Sequence, residues 1–396
     1  MKVLMLTKKL PFPVIDGECM VIMNELKALQ GDDISIDVLA LNTKKHFSSL
    51  STFPEEVNRL AHFYAVPIDT SIKIWDAFLN LFSGKSYNIQ RFWNEGYASK
   101  LRELLQANTY DVIILQGLYL VQYAEIIKSM CKAKLVMRSH NVEHEIWQRL
   151  AGQEPSFLKK AYLNLLAMRM KTYEKEKINI CDSTIAITDK DLSIFKKMGL
   201  AKPSASIPGS IQIGAKQETT NEIHAVFFLG SFDWLPNIQG VYWFIEEVWK
   251  RLSEDYPNWQ FYIAGRNFKE EMKMGGTSRV HWIGEVEDAV RFMSEKNIMI
   301  VPLFSGSGMR IKIIEAMMCG KPIVSTTIGA EGIECKDGEN IFIADSKEMF
   351  REKLIQLMTN QPYALQMGLN ARKRAEEHYS IDGVGRRLRK FLFEGV

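Results

Sequence analysis

The chain has 396 residues, a globular composition with 46% hydrophobic residues, and a formal net charge of only +3. That length predicts two domains, and so weak a charge balance argues against nucleic acid as a partner. Five scattered cysteines with no CxxC pair fit a reducing cytoplasm without structural zinc, and no stretch approaches the ~20 apolar residues of a membrane span.

Val3 to Thr7 reads as a first strand, its apolar part too short for a signal peptide. The Pro- and Gly-punctuated loop KKLPFPVIDG (8–17) follows, then a helix over Glu18–Leu29 and a strand over Ile34–Leu41. From Lys44 to Gln106 the pattern is less periodic and rich in aromatics, which reads chiefly as core packing. Asp111–Gln116 and Lys134–Arg138 are short β-branched runs of the kind found in buried parallel strands. The second runs straight into Ser139-His140-Asn141-Val142-Glu143. A His at the C-terminal end of a parallel strand sits where open α/β sheets bind ligands, and imidazole exchanges hydrogen bonds with hydroxyls. The other reading is that His140 or Asn141 caps the next helix. Residues 156–180 predict a long basic amphipathic helix with interleaved Leu, Met and Tyr. Such a helix suits an anionic membrane surface or, equally, a solvated face. Ser183–Thr188 reads as a strand. Asp189-Lys190-Asp191 imitates an acidic metal motif but reads better as the cap of a helix over Leu192–Met198. Residues 199–221 carry Pro and Gly with few apolar anchors and read as the interdomain linker.

The second half opens with a strand over Ala225–Gly230, the turn SFDWLPN and a helix over Ile238–Leu252. Asp233 and Asn237 are candidate ligand contacts, Asp233 reads equally well as a turn residue, and Pro236 suits a first helical position. Two further strands end in Gly265-Arg266-Asn267 and Gly284-Glu285-Val286. The stretch NIMIVPLFSGSGMRIKIIEAMMCGKPIV (297–324) then reads as strand, glycine loop, helix, strand. Ser305-Gly306-Ser307-Gly308 lets the backbone approach a ligand, and the helix following from Met309 favours an anion at its N-terminus. Arg310 and Lys312 fall inside that first turn against the dipole preference, a broken local rule that marks a site. Glu315, one turn on, is placed to accept hydrogen bonds from hydroxyls.

SGSGMRIKIIEAMMCGKPIVSTTIGAEGI resembles the donor-binding stretch of glycosyltransferase family 4, the group 1 retaining enzymes of GT-B fold. HNVE at 140–143 and DWLPN at 233–237 resemble one branch of it. The resemblance implies an α/β protein of two Rossmann-like domains facing across a cleft that holds a nucleotide-diphosphate sugar. Residues 1–205 would form an acceptor-side domain, 222–375 the nucleotide-sugar domain, and 376–396 a helix returning to the first. It further implies that Gly17 offers its N–H to the phosphates and that His140 contacts the transferred sugar. Asp233, Asn237, Arg266, Glu285, Val286 and Ser305 to Met309 would hold the donor, with Val286 near the base. Arg310, Lys312 and Glu315 would complete the catalytic set with no metal and no cofactor beyond the co-substrate. The acceptor would be a glycan or a lipid-linked glycan in surface polysaccharide synthesis, and the enzyme would be cytoplasmic or at the inner face of the membrane. The chain departs from the family pattern at Ser231 and Asn237, which stand where many members carry Arg and Lys, and at Ser307, where an acidic residue often begins a Glu-x7-Glu pair.

Two other readings stay open. Gly306-x-Gly308 after a strand resembles a dinucleotide fingerprint, though Ile311 stands where its third Gly belongs. An epimerase on the same two-domain fold would need acidic catalytic residues that the sequence does not identify.

Overall fold

The computed structural model describes residues 1–396 except 32, 72–79, 81–83, 85, 212–223, 274–278, 306–309 and 395–396. The chain divides into two compact units, Met1–Ser210 with Val384–Val396, and Ile211–Gly383.

The first unit is built on a seven-stranded sheet: β1 (Lys2–Thr7), β2 (Ser35–Thr43), β3 (His62–Ile68), β4 (Val112–Gln116), β5 (Lys134–Ser139), β6 (Ser183–Ala186) and β7 (Ser204–Ser206). Its spatial order is β3-β2-β1-β4-β5-β6-β7, with every adjacent pair parallel. The apolar runs are continuous because both faces are covered. Leu4, Leu6, Ile113 and Leu115 point into one core, while Val3, Met5, Val112 and Ile114 point into the other. This is the period of two expected along a strand. The second core is completed by the end of the chain: Val384, Leu388, Phe391 and Leu392 pack with Ile22 and Leu26 of the helix Gly17–Ala28. The approach is close enough that a Cβ on Gly385 would lie 2.6 Å from the carbonyl oxygen of Ala28.

The second unit repeats the plan with β8 (Ala225–Leu229), β9 (Gln260–Ala264), β10 (Val280–Gly284), β11 (Ile298–Val301), β12 (Ile323–Ser325) and β13 (Phe342–Ile343). The order is β10-β9-β8-β11-β12-β13, again parallel throughout. Phe227, Leu229, Met299 and Val301 face one core, and Val226, Phe228, Ile298 and Ile300 the other.

Several local expectations change. The aromatic region after Lys44 contains β3, an edge strand whose half-buried residues blur its alternation. Pro67 is tolerated there because an edge strand has one unpaired side. Ser204–Ser206, expected in the linker, forms the last strand of the first sheet. The helix expected from Leu192 starts at Asp189, and its cap is the Thr188 hydroxyl, which accepts the Asp191 N–H at 3.0 Å. Neither His140 nor Asn141 caps the helix Glu143–Gln153. Glu174, on the helix Phe157–Lys177, does so across space, accepting the Glu143 and His144 N–H groups at 3.1 and 3.4 Å and the His144 Nδ1 at 2.6 Å.

Candidate functional site

In both sheets the chain order reverses once, between β1 and β4 and between β8 and β11. Connections leave such a pair in opposite directions, opening a crevice at the C-terminal strand ends where doubly wound sheets bind ligands.

In the second unit a cavity of about 560 Å³ occupies this position. Its wall straddles the reversal, with Leu229 and Gly230 at the end of β8 and Val301 and Leu303 at the end of β11. Glycine makes the mouth possible. A Cβ on Gly265 would collide with the Gly230 carbonyl oxygen, and the Gly265 N–H donates to Gly284 at 2.8 Å, gathering three strand tips. The first turn is then braced. Asn237 Nδ2 donates to the Ser231 carbonyl at 2.8 Å, the Ser231 hydroxyl donates to Asp233 at 2.5 Å, and Asn267 Nδ2 donates to the other Asp233 oxygen at 3.2 Å. Asn237, Arg266, Glu285 and Val286 line the cavity; Asp233 does not, and its carboxylate holds the turn.

The lining also includes Arg310, Ile311 and Lys312. The spacing places Arg310 inside the helix from Met309, but the helix is Ile311–Met318 and Arg310 is the residue before it, with φ −86° and ψ 91°. Arg310 therefore stands at the N-cap, still at the positive end of the helix dipole, so the dipole does not stabilise its charge. Its guanidinium stacks on the Trp234 ring, 4.8 Å from the centroid. Burial lowers its pKa, opposed by the charge of Glu331. Lys312 does lie in the first turn, and its Nζ is 2.7 Å from Glu315 Oε2. Glu315 and Ser305 are not part of the lining among the described residues. Gly306, Ser307, Gly308 and Met309 lie outside the described residues.

At the reversal of the first sheet sits a polar cluster. His140 follows β5, and its Nε2 is 2.7 Å from Oε1 of Gln116, the last residue of β4. Gln116 Nε2 donates to Glu25 Oε2 at 2.8 Å, and Glu25 Oε1 accepts from Arg138 Nε at 2.6 Å. Burial pushes the His140 imidazole down to about 4; Glu18 and Glu25 oppose this, while Arg138 and Lys8 assist it. Gly17 is the first residue of its helix, but the cap there is the Asp16 carboxylate, which accepts the Cys19 N–H at 3.0 Å and pairs with Lys9. Although burial opposes ionisation, these hydrogen bonds hold Asp16 at about 2. Glu18 adds a second carboxylate, 3.2 Å from Lys8 and 3.1 Å from Lys9. Lys8 lies over the ring of Tyr119, 4.9 Å from its centroid, and the Tyr119 hydroxyl donates to Glu143 at 2.9 Å. Sequence reasoning missed Glu25, Gln116, Arg138 and Trp234. The one available signal was a polar residue ending an otherwise apolar strand.

Among the described residues no group of three or more His, Cys, Asp or Glu side chains is placed to hold a metal ion. No described helix is long and apolar enough to cross a membrane.

Residues 223–360 match the family model described as glycosyl transferases group 1, and this segment contains the whole lining of the cavity. The chain is 23% identical to an uncharacterized 44.6 kDa protein in the cps region of Klebsiella pneumoniae, over 97% of each chain. Among solved structures it is similar to Anabaena HepE in complex with UDP, with 15% identity, complete coverage of both chains and a TM-score of 0.63. It is also similar to sucrose-phosphate synthase from Thermosynechococcus elongatus, with 14% identity, coverage of 98% of this chain and 97% of that one, and a TM-score of 0.62. The fold is therefore GT-B: two Rossmann-like units, each on a parallel sheet.

Proposed function

We propose that the protein is a retaining, metal-independent glycosyltransferase that moves a sugar from a nucleotide-diphosphate donor to a glycan or lipid-linked acceptor in surface polysaccharide synthesis. The observation that carries this reading is the cavity at the β8/β11 reversal, lined by Arg310 and Lys312 together with Arg266, Glu285 and Val286. The cationic wall suits a diphosphate: Arg310 offers a planar fork and Lys312 a point charge. Charge building on the departing diphosphate is then met by fixed groups, which is how preorganised electrostatics lowers a barrier. The Glu285-Val286 turn suits the base, and Glu315 suits hydroxyl groups. His140 is assigned to a sugar hydroxyl. The group 1 match over 223–360 and the cps-region relative support the donor class and the polysaccharide role.

Contact with the inner membrane face is part of the proposal. Phe157 and Leu158 are 81% and 79% exposed at the start of the long helix, next to Lys159 and Lys160. Apolar tips beside cations suit an anionic lipid surface. Co-sedimentation with anionic vesicles, lost in a Phe157→Ser/Leu158→Ser variant, tests it.

The test of the function is a thermal-shift panel of nucleotide sugars, free nucleotides and NAD(P). One nucleotide-diphosphate sugar should raise the melting temperature, through a stabilisation of about 2.7 kcal/mol at a hundredfold excess over Kd. Stabilisation by NAD(P) alone would replace this reading with a dehydrogenase.

A further inference from the structure

The polar cluster under His140 has a direction that its hydrogen bonds dictate. Arg138 is 1% exposed. Its Nη1 donates to the carbonyls of Ile207 and Ala186 at 2.6 and 3.3 Å, and its Nη2 to that of Pro208 at 3.2 Å. The remaining Nε–H goes to Glu25. A guanidinium can only donate and a carboxylate beside it only accepts. Glu25 therefore requires a donor from Gln116, and the side-chain amide must turn its NH2 toward Glu25; the reversed amide would set two acceptor oxygens against each other. Gln116 is fully buried, so no water relieves the wrong orientation. Its Oε1 consequently faces His140, where a donor is needed. The Nε2 of His140 must carry the proton, and in the uncharged ring Nδ1 is then an acceptor. Nδ1 has no hydrogen-bond partner among the described residues.

We propose that Gln116 is a positioning residue, oriented by Glu25 and Arg138, that locks His140 in the Nε2–H tautomer and so presents Nδ1 as an acceptor for a sugar hydroxyl. The hydroxyl contact rests on the function proposed above; the tautomer does not. An acceptor at Nδ1 recognises a ligand that donates a hydroxyl proton and discriminates against the deoxy analogue. A ring free to exchange tautomers would offer a donor part of the time and lose that selectivity.

Nitrogen-15 NMR of the histidine-labelled full chain tests the lock, with the His140→Gln spectrum identifying the signal among the seven histidines. The expected wild-type result is a proton on Nε2 and a bare Nδ1 at neutral pH, with no ligand present. In Gln116→Leu the Nδ1–H form should become populated. The variant should then bind UDP-glucose roughly tenfold more weakly than wild type while binding UDP equally well, the size expected for one hydrogen bond. A wild-type proton on Nδ1 overturns the inference, as does a Gln116→Leu protein that keeps the Nε2–H form. A tautomer change without loss of UDP-glucose affinity overturns the hydroxyl contact. If Gln116→Leu does not fold, the wild-type spectrum decides the tautomer. If wild type binds no UDP-glucose, a wild-type Nε2–H signal that gives way to Nδ1–H in Gln116→Leu still upholds the lock, and the failure belongs to the proposed function.

Discussion

Lys312 Nζ lies 2.7 Å from Glu315 Oε2, so a cation and a carboxylate that sequence reasoning gives to different parts of a ligand are paired with each other. Lys312 is partly exposed, and such a pair adds little to stability. Its importance is for binding, because a ligand phosphate must compete with Glu315 for the ammonium. Arg310→Ala and Lys312→Ala are expected to weaken nucleoside diphosphate binding ten- to a hundredfold, about 1.5–3 kcal/mol, and to leave the free nucleoside unaffected. Glu315→Gln releases Lys312, so diphosphate affinity should match or exceed wild type while the nucleotide sugar binds more weakly. Titration calorimetry with UDP, uridine and UDP-glucose reads all three; unchanged UDP affinity in both cation variants would mean that neither Arg310 nor Lys312 meets the diphosphate.

The depressed His140 pKa fixes a sign for the pH dependence of stability. Folded His140 titrates at about 4, against 6.5 in the unfolded chain. Between these values the unfolded state binds more protons, so acidification favours unfolding. The contribution is fully present above pH ~6.5 and is lost as pH falls toward 4, at most about 3 kcal/mol. Urea midpoints from pH 4 to 7 should slope less in His140→Gln than in wild type; parallel curves would show that His140 is not the group responsible.

Glu174 is 1% exposed and holds the start of the helix Glu143–Gln153. Glu174→Ala strands two backbone N–H groups and the His144 ring, so it should cost about 3 kcal/mol in denaturant unfolding. A loss under 1 kcal/mol would mean that water replaces the carboxylate without penalty.

Gly385, on the helix Ile381–Arg389, sets its approach to the helix Gly17–Ala28. Gly385→Val should destabilise by about 1–3 kcal/mol through overpacking, with Gly385→Ala smaller. The readout is the urea midpoint, and an unshifted midpoint for Val would show that the chain end does not bear on this core.

Transfer or donor hydrolysis is expected to survive EDTA, because the diphosphate charge is assigned to Arg310 and Lys312. Complete loss restored by Mg²⁺ or Mn²⁺ would overturn the metal-independent reading.

The linear chain carries the sheets because each buried strand is a continuous apolar run, and a run such as VIIL at 112–115 has few other places to go. It also carries the glycine turns at 230, 265 and 284, since Gly and Pro punctuate locally. Strand β3 was hidden because an edge strand is only half buried, and β7 because three small residues leave no periodic trace. The Thr188 cap was one residue from the acids read as capping, a distance that local patterns do not resolve. The linkages that give the polar sites their chemistry were beyond any pattern. Gln116, Glu25 and Arg138 are brought together by the order β1-β4-β5, and Glu174 reaches Glu143 from 31 residues away. Hydrophobic periodicity is a property of neighbours in sequence, whereas a buried hydrogen bond is a property of neighbours in space, so only the folded chain assigns the donors and acceptors.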